Sequence, residues 1–287
     1  MQSMNLFVDN EVANSLKKAI IGGNEVEYDP KEFELLQLVG KNYLHYTGYG
    51  ENVRNPKGNT SCYRMFAGYE GEYLELSSFD TSSVVDMSGM FGECKVLREL
   101  DLSNFDTSSV KDMNGMFRGC YSLQSLDLSS FNTNGVIDMG WMFYFCGSLQ
   151  AIDLSSFNTS RVEDMPYMFS GCGALRTLDL SSFDTSCVKD MNCMFRGCSF
   201  LNELDLSSFN TSCVMDMSYM FNGCRALTRL NISSFDTSRV MNMSCMFEEC
   251  KLLMELDLSK FSIRSIKNMD SMFHGCDTSI IPKWYKE

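Results

Sequence analysis

The chain has 287 residues and a formal net charge of −13, with 37 acidic against 24 basic side chains. That balance argues against a nucleic-acid partner, which needs a basic stripe. No run of 18 or more apolar residues occurs, so no membrane-spanning helix is expected. The only histidines, His45 and His274, stand at opposite ends, and no G-x-S-x-G, phosphate-loop or H-E-x-x-H motif is present. A non-enzyme without cofactor or resident metal is the expectation.

The first twenty residues, MQSMNLFVDNEVANSLKKAI, have no basic region leading into an apolar core, so no signal peptide is expected. Residues 1–50 do not repeat and read as a mainly helical N-terminal cap. Residues 10–20 form a first helix; Asp29-Pro30-Lys31-Glu32 places an N-cap and a first-turn proline before a second, through about Val39. A Gly/Asn-rich connector follows over residues 46–60, and Tyr63-Arg64-Met65-Phe66 is a degenerate first unit.

Residues 51–276 form a repeat solenoid, with residues 277–287 as its C-terminal cap. One sentence recurs eight times with a period of 26 residues, L-x-x-L-D-L-S-S-F-[DN]-T-S-x-V-x-D-M-x-x-M-F-x-G-C. A fixed period of this length means stacked coils, each burying its apolar face only against its neighbours. In the unit around residues 97–120, Leu100 and Leu102 alternate with Asp101 as on a short strand. Asp106-Thr107-Ser108 reads as a turn. Met113, Met116, Phe117 and Cys120 have the i, i+3, i+4, i+7 spacing of one helix face, with Asp112 at the N-cap and Gly119 at the stop. The expected coil is therefore a short parallel strand plus a short helix, an α/β architecture. Of 22 methionines and 21 phenylalanines, 16 of each fall in two columns, so the core is a set of Met, Phe, Leu and Cys ladders. Eight of the 13 cysteines share one column and read as buried thiols, which suits a reducing compartment.

The unit M-F-x-G-C-x-x-L-x-x-L-D-L-S-S-F-[DN]-T-S-x-V-x-D-M, with the closing Ile281-Pro282-Lys283-Trp284-Tyr285, resembles the BspA-type leucine-rich-repeat surface proteins of bacteria, in a subfamily once described only as a domain of unknown function. The resemblance covers about residues 62–285. It implies a right-handed leucine-rich-repeat-like superhelix, and a cell-surface or secreted protein that binds host or matrix proteins or other cells. It brings no catalytic residues. The absent leader departs from the usual pattern.

Comparing copies separates scaffold from specificity. The column Asp86 to Asn268 exchanges Asp for Asn, so capping explains it without charge, and the turn column Asp80 to Asp236 behaves alike. The strand column, Glu75, Asp101, Asp127, Asp153, Asp179, Asp205, Asn231 and Asp257, is open to two readings. It is either an acidic strip for a basic partner or cations, or a set of carboxylates bonded to nearby serines. The threonine column Thr81 to Thr237 invites an ice-matching reading, which its flanking Asp residues oppose. The third helical position varies most, and its Trp141, Tyr167 and Tyr219, with Tyr144 nearby, are candidates for an exposed aromatic row. Cys187, Cys193, Cys213 and Cys245 lack zinc-ligand spacing. The leading reading is a non-catalytic protein-recognition scaffold of the adhesion type. Two alternatives remain: a module that self-assembles through its ends, and a cation- or redox-buffering repeat.

Overall fold

The computed structural model describes residues 16–38, 41–48 and 53–286. The expected helices of the N-terminal cap are instead two antiparallel hairpins; residues 10–15 and 39 of those helices lie outside the described residues. Strand β1 (Lys17–Ile21) pairs with β2 (Asn24–Tyr28), and β3 (Phe33–Leu38) pairs with β4 (Lys41–Tyr46). Alternation decides β1 and β2, because Ala19 and Ile21 are buried with Val26 and Tyr28 while their neighbours face out. Gly22 and Gly23, both at positive φ (57° and 89°), make the two-residue turn that matches strand twist. Asp29 does turn the chain, its carboxylate accepting from the Lys31 N–H at 2.8 Å, but the chain straightens at Phe33. The hairpins lie on the first coil: the Tyr46 N–H donates to the Met65 carbonyl at 2.7 Å, and the Tyr46 ring meets Phe66 edge-on at 5.4 Å.

The coils stack in parallel, but their best-paired side is not the one the leucines suggest. Parallel bridges run unbroken from Ser61 through Asp86, Asp112, Asp138, Asp164, Asp190, Asp216 and Asn242 to Asn268. Along the Leu-x-Leu side, strands occur as two isolated pairs, β5 (Tyr73–Leu74) with β6 (Glu99–Leu100), and β7 (Glu203–Asp205) with β8 (Arg229–Asn231). The short parallel strand expected in every coil thus forms in only these four among the described residues.

The short helix of each coil is also corrected. Met113, Met116, Phe117 and Cys120 all point inward and are fully buried, but the backbone is a series of tight turns. The Met116 N–H closes a turn on the Met113 carbonyl (3.2 Å), Arg118 on Gly115 (3.0 Å) and Cys120 on Phe117 (3.2 Å). Between these, Met113, Gly115, Phe117 and Gly119 each donate to the next coil, at 2.7 to 3.1 Å. A helix would keep every N–H for its own chain four residues back. Here alternate donors cross to the neighbour, and the crossing requires left-handed backbone at Gly115 (φ 59°) and Gly119 (φ 73°). Two residues at positive φ within five exclude a helix.

The interior is the expected set of ladders. The phenylalanine rings from Phe66 through Phe91, Phe117, Phe143, Phe169, Phe195, Phe221 and Phe247 to Phe273 follow one another at 5.4 to 5.9 Å, within 15° of parallel. Each buried phenylalanine contributes about 1.5–3 kcal/mol. Ladder thiols are satisfied internally, as Cys120 Sγ donates to the Phe91 carbonyl at 3.2 Å. The threonines are buried to within 1 % and act as rivets: Thr133 Oγ1 donates to the Asn158 carbonyl at 2.9 Å and accepts from the Asn158 N–H at 2.8 Å. An ice-matching surface is thereby ruled out. At the far end Tyr285 meets Phe273 edge-on at 5.1 Å, and its hydroxyl accepts from the Met272 N–H at 3.1 Å.

Candidate interaction surface

The third position of each turn series, Gly89, Gly115, Trp141, Tyr167, Cys193, Tyr219, Cys245 and Ser271, has φ between 54° and 61° in every copy. A side chain there is held in a backbone region that favours glycine, at a cost of roughly 1 kcal/mol or more. The first two copies keep glycine; the third places the largest side chain available. A second left-handed column, Glu93, Gly119, Phe145, Gly171, Gly197, Gly223, Glu249 and Gly275, is mostly glycine, with Phe145 at φ 57°. Trp141 and Phe145 fall in one coil, on the stretch Trp141-Met142-Phe143-Tyr144-Phe145, and Tyr167 follows in the next.

Their side chains form one cluster. Trp141 stacks on Tyr167 with centroids 3.9 Å apart and planes 13° from parallel. Tyr144 stands edge-on to Trp141 at 4.7 Å and to Phe145 at 4.4 Å. Tyr121, from the preceding coil, lies 6.0 Å from Phe145. The Arg118 guanidinium sits over Trp141 at 5.4 Å and Tyr144 at 5.5 Å, while also pairing with Glu93 at 3.5 Å. Trp141, Tyr144 and Tyr167 are half-buried rather than freely exposed, because their faces are spent on one another. Tyr121 and Phe145 present the apolar surface, about 42 % and 40 % exposed.

Tyr219, expected in the same row, lies beyond the buried Cys193 and has its own cation, Arg196, at 5.4 Å. A hydrogen bond with the Cys193 thiol pushes the Tyr167 phenol up to about 12, and one with Cys245 raises that of Tyr219. Sequence reasoning missed three members. Phe145 could have been found as the aromatic replacing a glycine of the G-C pair, and Arg118 and Tyr121 are joined to it only by the stacking of coils.

The acidic strip is exposed throughout, at Glu75, Asp101, Asp127, Asp153, Asp179, Asp205 and Asp257. Each carboxylate accepts from the N–H of the serine two residues on, at 2.8 to 2.9 Å. Those serines hold the carboxyls below their ordinary range, through the backbone N–H first at Asp101, Asp127, Asp153, Asp179, Asp205 and Asp257, and through the hydroxyl first at Glu75. Local turn bonding thus accounts for every member. A groove of about 850 Å³ lies along the paired β7 and β8 and the coil after them, lined among others by Glu203, Leu204, Asp205, Leu230, Glu255 and Asp257.

The carboxylates of the bridge ladder differ. They are half-buried, stacked coil on coil, and all but Asp164 cap a turn, as Asp112 does by accepting from the Asn114 N–H at 2.9 Å. Desolvation, with Asp86 and Asp138 on either side, pushes Asp112 up to about 6, and desolvation also raises Asp164 and Asp190. At Asp164 the residue two on is Pro166, which has no N–H to offer. All 13 cysteines are free thiols. Among the described residues no three His, Cys, Asp or Glu side chains converge as a metal site, and no helix is long and apolar enough to cross a membrane.

The sequence profile of the family described as "Mycoplasma protein of unknown function, DUF285" matches residues 60–178 and 174–284. No curated protein matches the chain. Among solved structures the chain is similar to one in "Crystal structure of TLR13-ssRNA13 complex", at 17 % identity and a TM-score of 0.28 over 69 % of this chain and 34 % of that one. The chain thus spans about a third of that structure's length.

Proposed function

We propose that this chain, which belongs to the Mycoplasma family of unknown function DUF285, is a non-catalytic scaffold that recognises a protein partner through the aromatic cluster around Trp141 and Phe145. The observation that carries this is backbone placement. Three aromatics of the cluster, Trp141, Phe145 and Tyr167, occupy left-handed positions that glycine fills in other copies of the same columns, and strain of that kind is kept where it serves a site. The cluster joins aromatic rings to an arginine, the residue types that dominate binding hot spots. The catalytic alternative lacks support: the two histidines lie at opposite ends, and the acidic side chains of the strip are exposed and already bonded. The resemblance to BspA-type proteins adds adhesion at the cell exterior as the setting.

The test uses substitutions to the glycine that other copies carry at the same positions. The purified chain is screened against an array of extracellular and cell-surface proteins, and any partner is titrated against Trp141→Gly, Phe145→Gly and the double variant. Loss of at least about tenfold in affinity, roughly 1.4 kcal/mol, is expected from each. A partner bound equally well by the double variant would remove the aromatic cluster from the function.

A further inference from the structure

Within the Met–Phe–Cys turns, the main-chain N–H groups that cross between coils point from each coil to the next, while the residue before each ladder Asp or Asn donates back, as Lys267 does to the Met241 carbonyl at 2.7 Å. Met243, Cys245, Phe247 and Glu249 donate their N–H groups to Asn268, Asp270, Met272 and His274 of the next coil, at 2.8 to 2.9 Å. In the coil that ends at Cys276, the equivalent donors are Met269, Ser271, Phe273 and Gly275, and they meet no acceptor among the described residues. The same coil leaves apolar surface open. Ile263 is 40 % exposed where the preceding copy has the fully buried Thr237, and Phe261, Ile266 and Met269 are half-buried where Phe235, Val240 and Met243 are buried. The Tyr285 segment covers Phe273 but leaves an opening of about 440 Å³, lined by Ile266, Met269, Ser271 and Tyr285 with Lys267, Lys286, Asn268 and Asp270. Arg264, Lys267, Lys283 and Lys286 are all exposed here, against Asp270 and Asp277, in a chain whose net charge is −13.

We propose that this end face binds an extended, acidic segment of a partner protein. The segment adds as a further rung: its carbonyls accept from the Met269 and Ser271 N–H groups, its apolar side chains cover Ile263 and Ile266, and its carboxylates face Lys267 and Lys286. Addition of an extended segment to an open edge draws affinity from main-chain bonds and specificity from the side chains. A second copy fits less well. Two such ends brought together oppose donors to donors, and the acceptor end of the stack is closed by the hairpins, where Tyr46 already holds the Met65 carbonyl.

The probes are two dye-labelled peptides of about nine residues, one alternating valine with glutamate and one alternating valine with lysine, titrated against the whole chain by fluorescence anisotropy. Amide hydrogen exchange is followed on the same complexes. The glutamate peptide is expected to bind at least about tenfold more tightly, with affinity falling as salt rises. It is also expected to slow exchange at Met269 and Ser271. Lys267→Glu combined with Lys286→Glu, two exposed changes checked by thermal unfolding, should reverse the preference. Equal binding of both peptides, no saturable binding, or protection at other amides overturns the proposal. So does concentration-dependent dimerisation that Ile263→Lys abolishes, which would assign the face to a second copy.

Discussion

The ring of Phe145 lies against the backbone of Gly171 in the next coil, so closely that a Cβ on Gly171 would stand 2.6 Å from the ring. Glu93 over Gly119 and Glu249 over Gly275 repeat the relationship, with side-chain atoms 2.9 and 2.7 Å from the same point. Every non-glycine of that column is followed, one coil on, by a glycine that makes room for it.

Gly171→Ala should therefore cost more than Gly197→Ala. Both place a side chain at positive φ, worth about 1 kcal/mol, but the added Cβ at 197 meets only ordinary contacts at 3.7 Å. Displacing the Phe145 ring should add about 1–3 kcal/mol at Gly171. Urea unfolding of both variants and of Phe145→Gly/Gly171→Ala checks this, because the double variant should return to the Gly197→Ala level. Equal losses in the two single variants would show that the ring moves away freely.

Trp141→Gly should leave stability within about 1 kcal/mol of the parent. Relief at φ 61° offsets a stacking pair worth about 0.5–1.5 kcal/mol. A half-buried tryptophan whose removal hardly changes the melting temperature, yet abolishes partner binding, is the signature expected of a residue kept for function. A drop of several degrees would make it a structural residue instead.

Thr133→Val should be costly despite its similar shape. It strips the part-buried Asn158 N–H and carbonyl of the hydroxyl that serves both. About 2–4 kcal/mol is expected, from two unsatisfied backbone groups. Thr133→Ser, which keeps the hydroxyl, should recover most of it in the same thermal melts.

Much of this was legible beforehand. The spacing of Met113, Met116, Phe117 and Cys120 correctly identified the buried set, because a chain of tight turns and a helix point the same positions inward. What distinguishes them is backbone handedness, and its trace was present in Gly115 and Gly119, two glycines where a helix would choose alanine. The cap was misread for a similar reason: Gly22-Gly23 between Ile21 and Asn24 is a hairpin turn, while Lys17-Lys18-Ala19-Ile20-Ile21 does not alternate in sequence although its burial does. Trp141, Tyr144 and Tyr167 emerged from column comparison. Arg118 and Tyr121 did not, since the reach of a side chain from one coil to the next depends on how the coils stack. Pairing on the Leu-x-Leu side was overestimated because the hydrogen bonds that bind the stack form mainly on the opposite side.

Acidity should act on the two acidic columns in opposite directions. Folding raises the pKa of Asp112 to about 6, so its contribution is complete below the unfolded value near 4 and is lost as pH rises through about 6. Asp112→Asn keeps the turn, as Asn242 does when it accepts from the Ser244 N–H at 3.1 Å. The variant should gain over the parent on going from pH 4 to 7.5, by at most about 1–2 kcal/mol for a half-exposed carboxyl. Folding lowers the exposed strip, so its contribution holds at neutral pH and disappears only as pH falls below the carboxylate range. Melting curves of parent and variant across pH 3 to 8 separate the two, and parallel curves would refute the assignment to Asp112.

Thiol reactivity offers an independent check on packing. Alkylation of the native chain should label the exposed Cys187 first, then the half-buried Cys213, and spare Cys94 to Cys250 of the ladder. Burial raises those ladder thiols it isolates, such as Cys172 and Cys224, to about 12, where almost no thiolate forms. Peptide mapping by mass spectrometry reads the order. Early labelling of Cys172 or Cys224 would mean that the coils part in solution.

The forward donation from the Met–Phe–Cys turns of each coil gives the stack a grammar for its own construction. Residues emerge from the ribosome in the order in which the coils are laid down, and each completed coil holds out the N–H groups that the next 26 residues will satisfy. A partly made chain is therefore a folded body with a waiting edge. Its growth resembles the lengthening of a thread on a template more than the collapse of a globule.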